Sequence, residues 1–178
     1  MGVGNHDFDD GRDGLLPFAQ DCGFPILAAN LNISNFPEID NWIDSATILD
    51  VNGTQVGIIG YITKDRTVYA SYNIANITFQ DEVEAVDREA KKLKEAGVDI
   101  IIAAGHAGYE VDLRMAEQVQ DVDIIVGGHS HTFLYTVQKS AFFRAKIRHI
   151  KVDKIVYRKI KAQLIKALKI GQFYKIGF

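Results

Sequence analysis

Apolar positions recur along this chain with two different periods. Over residues 81–96 they fall at Val83, Val86, Ala90 and Leu93, the spacing of one helix face. Acids crowd the start of that stretch and lysines its end, as the helix dipole prefers, and Gly97 closes it. Val98-Asp99-Ile100-Ile101-Ile102-Ala103-Ala104 follows at once. It is nearly continuous in apolar residues, as in a parallel strand covered on both faces. A second helix is predicted over about Tyr109 to Val119, and a second buried strand over Val122 to Val126. Upstream, Thr47–Val51 and Gln55–Tyr61 flank Asn52-Gly53, a strong hairpin signal. Ile26–Asn30 reads as a short buried strand. Gly14–Ala19 opens a helix with Pro17 in its first turn, and Gly23 should stop it. Asn35–Asp44 reads as loop with Trp42 as a packing anchor, and Thr63–Ile77 as loop near an edge. Asn30 is read as a turn former, with a site-facing amide as the alternative. Helix and strand alternate, so the fold class is α/β.

Both buried strands deliver histidines. The first ends in Gly105-His106-Ala107-Gly108, the second in Gly127-Gly128-His129-Ser130-His131. The carboxyl ends of strands are where open α/β sheets place ligands, and the glycines permit tight turns there. A third motif lies near the start, Gly4-Asn5-His6-Asp7-Phe8-Asp9. Asn5 offers an amide oxygen to a metal. His6 offers an imidazole to an anion, and Asp9 stands three residues on, where it can orient that ring. The plainer alternative is a polar turn with Asp9 or Asp10 capping a helix. Imidazoles joined by an amide suit zinc, manganese or iron better than calcium or magnesium.

Composition narrows the class. The 178 residues, 47% hydrophobic and 24% charged, suffice for one domain with a core. No apolar run approaches the roughly 18 residues of a membrane span. The chain runs from Met1 almost directly into the Asn-His motif, with no secretory signal peptide before it. The single cysteine, Cys22, makes no internal disulfide and reads as a small buried apolar residue or one whose partner lies elsewhere. Sequons at Asn32, Asn52 and Asn76 lean toward a secretory protein.

Charge divides the chain. Residues 136–178 hold 12 of the 20 Lys and Arg but one acid, Asp153, so an acidic body carries a basic tail. Lys, Ile, Phe and Tyr make up 22 of those 43 residues. Their codons are AT-rich, which favours translated non-coding sequence. The alternative is a basic amphipathic helix, with Val156, Ile160, Leu164 and Leu168 in register, that contacts an anionic membrane. No nucleic acid partner is expected.

The three histidine motifs, with Phe24-Pro25-Ile26-Leu27-Ala28-Ala29-Asn30 and the continuation Thr132-Phe133-Leu134-Tyr135, resemble the 5′-nucleotidase family of calcineurin-like metallophosphoesterases. The resemblance covers Gly4 to about Thr136. It implies a partial α/β/β/α sandwich over residues 1–135, with its first strands missing, and a tail over residues 136–178. It implies two divalent metal ions, zinc or manganese, and an extracellular or cell-surface enzyme hydrolysing nucleotides such as AMP. By position, Asn5, His106 and His129 are similar to ligands of the second metal and His131 to the last ligand of the first. His6 looks like the imidazole that stabilises the phosphoryl group, with Asp9 as its acidic partner.

Departures qualify this. The family's Asp-x-His and the Gly-Asp that bridges both metals precede the Asn-His motif, where this chain has three residues. Four of seven ligands remain by that count, and the base-gripping second domain is absent. Ala107 replaces a serine beside the site histidine. The expectation is a fragment of a 5′-nucleotidase, weak or inactive alone. The alternative is a secreted protein that binds nucleotides or other small molecules without turnover.

Overall fold

The computed structural model describes residues 1–70 and 74–132. The basic tail, and the Phe133-Leu134-Tyr135 continuation of the last histidine motif, lie outside the described residues.

The hairpin forms where Asn-Gly predicts it. Strands β4 (Ala46–Val51) and β5 (Thr54–Ile62) pair antiparallel around Asn52 and Gly53, both at positive φ (53° and 82°). That is the backbone a two-residue hairpin turn requires. Strand β7 (Ile100–His106) lies parallel to β5, and β8 (Ile124–Val126) parallel to β7. The sheet order is β4-β5-β7-β8. Helices α3 (Glu82–Glu95) and α4 (Tyr109–Gln118) supply the two crossovers and cover one face. Val83, Val86, Ala90 and Leu93 pack there with Ile59, Ile101, Met115 and Ile125.

A second layer comes from the first half of the chain. β1 (Ile26–Leu27) pairs parallel with β3 (Ile43–Asp44), and β2 (Leu31–Asn32) antiparallel with β6 (Thr78–Phe79). Helices α1 (Gly11–Asp21) and α2 (Pro37–Asp40) belong to this layer. Its core gathers Val3, Phe8, Leu15, Ala19, Ile26, Ile39, Ile62 and Ile77. The two cores give the mixed helix–sheet–sheet–helix layering expected of the sequence. The layers approach closely: a Cβ placed on Gly60 of β5 would land on the Leu27 carbonyl group of β1, and one on Gly2 would stand 2.5 Å from the Ala104 carbonyl oxygen of β7.

Several local expectations are corrected. α1 begins at Gly11, so Pro17 sits in its interior rather than its first turn. Trp42 is 42% exposed and is not a packing anchor. The stretch 35–44 is not all loop, since it contains α2 and β3. Cys22 is half-buried, with Sγ directed at the Ala19 and Phe24 carbonyls (3.5 and 3.3 Å). Asn30 lies in a turn yet does more than make one. Fully buried, it donates to the Ile62 and Gln80 carbonyls (2.7 and 3.2 Å) and accepts from the Ile62 N–H (2.9 Å), latching the end of β5.

Asp81 caps α3. Its Oδ1 accepts from the N–H groups of Val83 (2.9 Å) and Glu84 (3.2 Å), and its Oδ2 from Lys64 Nζ. Asp81→Ala should cost about 1–2 kcal/mol, read as a lower urea midpoint. The Lys64 ammonium holds the Asp81 carboxyl below its ordinary 3.8. A depressed carboxyl stabilises the fold above its unfolded value and loses that contribution as pH falls. Wild type and variant should therefore converge on acidification below 3.8.

Candidate metal and phosphate site

The register of the parallel strands fixes the site. Ile62 pairs with His106 at the end of β5 and β7, so His106 emerges at the carboxyl edge of the sheet. Its ring fits between two glycines. A Cβ on Gly4 would stand 3.2 Å from His106 Cγ, and one on Gly128 would stand 3.0 Å from its Nδ1. The turn after β8 brings His129 beside it, with ring centroids 5.2 Å apart and edge to face. His129 and His131 both have positive φ (82° and 51°), uncommon for non-glycine residues and a form of backbone strain that gathers at functional sites.

The two Gly-His turns are tied together. The Gly108 N–H donates to the Gly128 carbonyl (3.0 Å), and the Tyr109 N–H to Ser130 Oγ (3.1 Å). Asn5 joins them from the 3-10 turn Asn5–Phe8. That turn is fixed by the Gly4 N–H donating to Asp7 Oδ2 (2.8 Å). Asn5 is 3% exposed. Its Nδ2 donates to the Val68 carbonyl (3.1 Å), which turns Oδ1 toward His129 Nδ1, also 3.1 Å away.

Val68 ends a short 3-10 turn, Arg66–Val68, within a stretch whose sequence predicts only loop. Asp65 caps this turn by accepting from Thr67 N–H and Oγ1, and Arg66 donates to the Ile77 and Ile74 carbonyls. An Asp two residues before a Thr was the available sequence signal.

His6 stands in the open, its side chain 79% exposed, with Nδ1 2.9 Å from Asp9 Oδ2. It also lines a shallow recess of about 170 Å³ with Asp7, Asp10, Gly14, Leu15 and Phe18. Two carboxylates make that recess a poor seat for a phosphate. His131 is exposed, and its charge lies near enough to help lower the His106 pKa. The structure thus brings Asn5, His106 and His129 together, pairs His6 with Asp9, and sets the exposed His131 within electrostatic reach of His106.

Burial, and then the nearby His129, lower the His106 pKa below its ordinary 6.5, while Asp7 opposes them. His106 therefore stays neutral at pH 7, the form that ligates a metal.

Among the described residues no three His, Cys, Asp or Glu side chains gather closely enough to hold an ion. The donor set fits one only with the Asn5 amide included. Asn5 Oδ1 and His129 Nδ1 stand 3.1 Å apart, the distance of a hydrogen bond, so both donors face one small volume. The sequon residues Asn32, Asn52 and Asn76 are all exposed.

Known proteins resemble this chain over most of its length. The model of the calcineurin-like phosphoesterase family matches residues 1–133. The chain is 44% identical to a 5′-nucleotidase of Diplobatis ommata over 139 residues, covering 76% of this chain and 24% of that protein. It is 48% identical to Protein 5NUC of Lutzomyia longipalpis over 137 residues, covering 75% and 24%. Among solved structures, a 5′-nucleotidase precursor of Thermus thermophilus superposes with a TM-score of 0.71 at 35% identity, covering 76% of this chain and 27% of that one. The chain spans 24% of the length of these curated relatives.

Proposed function

Because the chain belongs to the calcineurin-like phosphoesterase family, we propose that it is part of a metal-dependent 5′-nucleotidase, releasing phosphate from extracellular nucleotides such as AMP. The observation that carries this reading is the convergence of Asn5, His106 and His129 beside the His6–Asp9 pair. Asn5, His106 and His129 would hold one divalent ion, zinc or manganese, and His131 would serve a second. Bound ions supply hydroxide at neutral pH and neutralise charge on phosphate oxygens.

The chain's own residues do the rest. Asp9 accepts from His6 Nδ1, which orients the ring, and in the imidazolium form Nε2 would also donate to a phosphate oxygen as negative charge develops. The Val68 carbonyl holds the Asn5 amide with its oxygen inward. The four ligands in this chain account for part of the family's site, so the 178 residues alone should bind one ion weakly and turn over slowly or not at all. An extracellular or cell-surface location accords with the exposed sequons, at which Asn32, Asn52 and Asn76 would carry glycans.

A second reading is a protein that binds nucleotides without turnover. Calorimetry with AMP and Mn²⁺, beside an assay of phosphate release, separates the two. Metal-dependent AMP binding should disappear in His106→Ala. Slow phosphate release that His6→Ala removes supports the enzyme, whereas binding without any release supports the second reading. No metal-dependent binding at all would sink both.

A further inference from the structure

The residue that reaches both histidine turns is not a ligand. Tyr61, fully buried near the end of β5, lies over Gly105 of β7, where a Cβ would collide with its ring. Its hydroxyl donates to Asp112 Oδ1 at 2.6 Å. Asp112 sits in the first turn of α4 and is 6% exposed. Its other oxygen, Oδ2, rests against Gly127, so closely that a Cβ there would land on it. The Asp112 N–H donates to the Gly108 carbonyl (3.1 Å). One buried pair therefore touches Gly105 and Gly108, which flank His106, and Gly127, two residues before His129.

We propose that Tyr61 and Asp112 are positioning residues, a buried clamp that holds the two Gly-His turns in register and thereby sets the metal affinity of the site. The metal-affinity half rests on the reading under Proposed function; the clamp itself does not. Burial raises the Asp112 carboxyl to about 6, and the Tyr61 hydrogen bond opposes that rise. An acid kept in such a place needs a partner and a purpose other than packing. Groups that orient ligands in this way typically change metal affinity about 10–100-fold when altered.

The test uses Tyr61→Phe, which removes one oxygen and little volume, and Asp112→Asn, which can still accept from Tyr61. Met115→Ala serves as control, because Met115 lies one turn along α4, fully buried in the same core, and its side chain has no hydrogen-bond donor to tie to either turn. The first readout needs no metal. The Gly108 amide, bonded to the Gly128 carbonyl, should exchange about tenfold faster in Tyr61→Phe after correction for global stability. It should be unchanged in Met115→Ala and largely restored to wild-type behaviour in Asp112→Asn. The second readout is Mn²⁺ affinity, which should weaken about tenfold in Tyr61→Phe but not in Met115→Ala.

Equal effects of Tyr61→Phe and Met115→Ala on Gly108 exchange would overturn the clamp. Mn²⁺ binding by Tyr61→Phe with wild-type affinity would overturn its link to the metal. A wild-type chain that takes up no Mn²⁺ would instead refute the proposed function, and the exchange measurement would still decide the clamp.

Discussion

Gly60→Ala should be strongly destabilising, with a much lower urea midpoint than wild type. The new methyl group would fall on the carbonyl carbon and oxygen of Leu27, which are backbone atoms with no rotamer to escape into. Neither side can retreat. The Gly60 N–H donates to the Ser45 carbonyl (3.1 Å), its carbonyl accepts from the Ala29 N–H (2.8 Å), and its strand partner is Ala104. Opening the gap would separate two cores that meet at this point. Overpacking in a rigid interior costs about 1–3 kcal/mol and more where nothing yields. About 3 kcal/mol or more is therefore expected, a large share of a typical stability of about 5–15 kcal/mol. Gly23→Ala is the control, since nothing lies within 4 Å of its added Cβ. Urea unfolding of the two variants beside wild type is the measurement. A Gly60→Ala midpoint equal to that of Gly23→Ala would show that the layers have slack there.

The second large effect concerns metal uptake. His129→Ala should weaken Mn²⁺ or Zn²⁺ binding by about 100-fold or more, beyond the range typical of residues that only orient a ligand. The variant removes one imidazole and leaves Asn5 Oδ1 without its partner at 3.1 Å. Asn5→Ala should do comparable damage, because the amide is the third donor that makes the set sufficient. His131→Ala should change the affinity less, since that ring is exposed and, on the proposed reading, would serve a second ion. Calorimetric titration of the three variants with Mn²⁺ at pH 7 orders them. If His131→Ala proves the most damaging, the ion sits elsewhere and the Asn5–His129 contact is an ordinary hydrogen bond.

The sequence was most legible where one local rule governs. Asn52-Gly53 dictates a hairpin because both residues tolerate positive φ. The face of α3 and the apolar runs of β7 and β8 follow from periodicity and burial. Positions after parallel strands are where such sheets hold ligands, so the placement of His106 and His129 at one edge of the sheet could be read in advance. What stayed hidden depends on partners far along the chain. Asn5 is aimed by a carbonyl 63 residues away, and Asn30 latches Ile62 at a separation of 32. Tyr61 reads as one more strand residue and Asp112 as one more acid on a solvated helix, yet they meet across 51 residues. The start of α1 was missed for a different reason. Gly11 and Asp13 have poor helix propensity, and packing of Leu15 and Ala19 in the second core overrides it.

The contact between Asn5 and His129 closes a loop of 124 residues. Contacts so distant in sequence form late, because the entropy of closing such a loop is compensated only by structure already in place. The hairpin, the α3 crossover and the three parallel strands must precede it. An ion arriving during synthesis would find the amide emerged from the ribosome long before the imidazoles. On the proposed reading, metal capture would be a final maturation event that locks a finished scaffold, unlike the small zinc modules in which the ion itself starts folding.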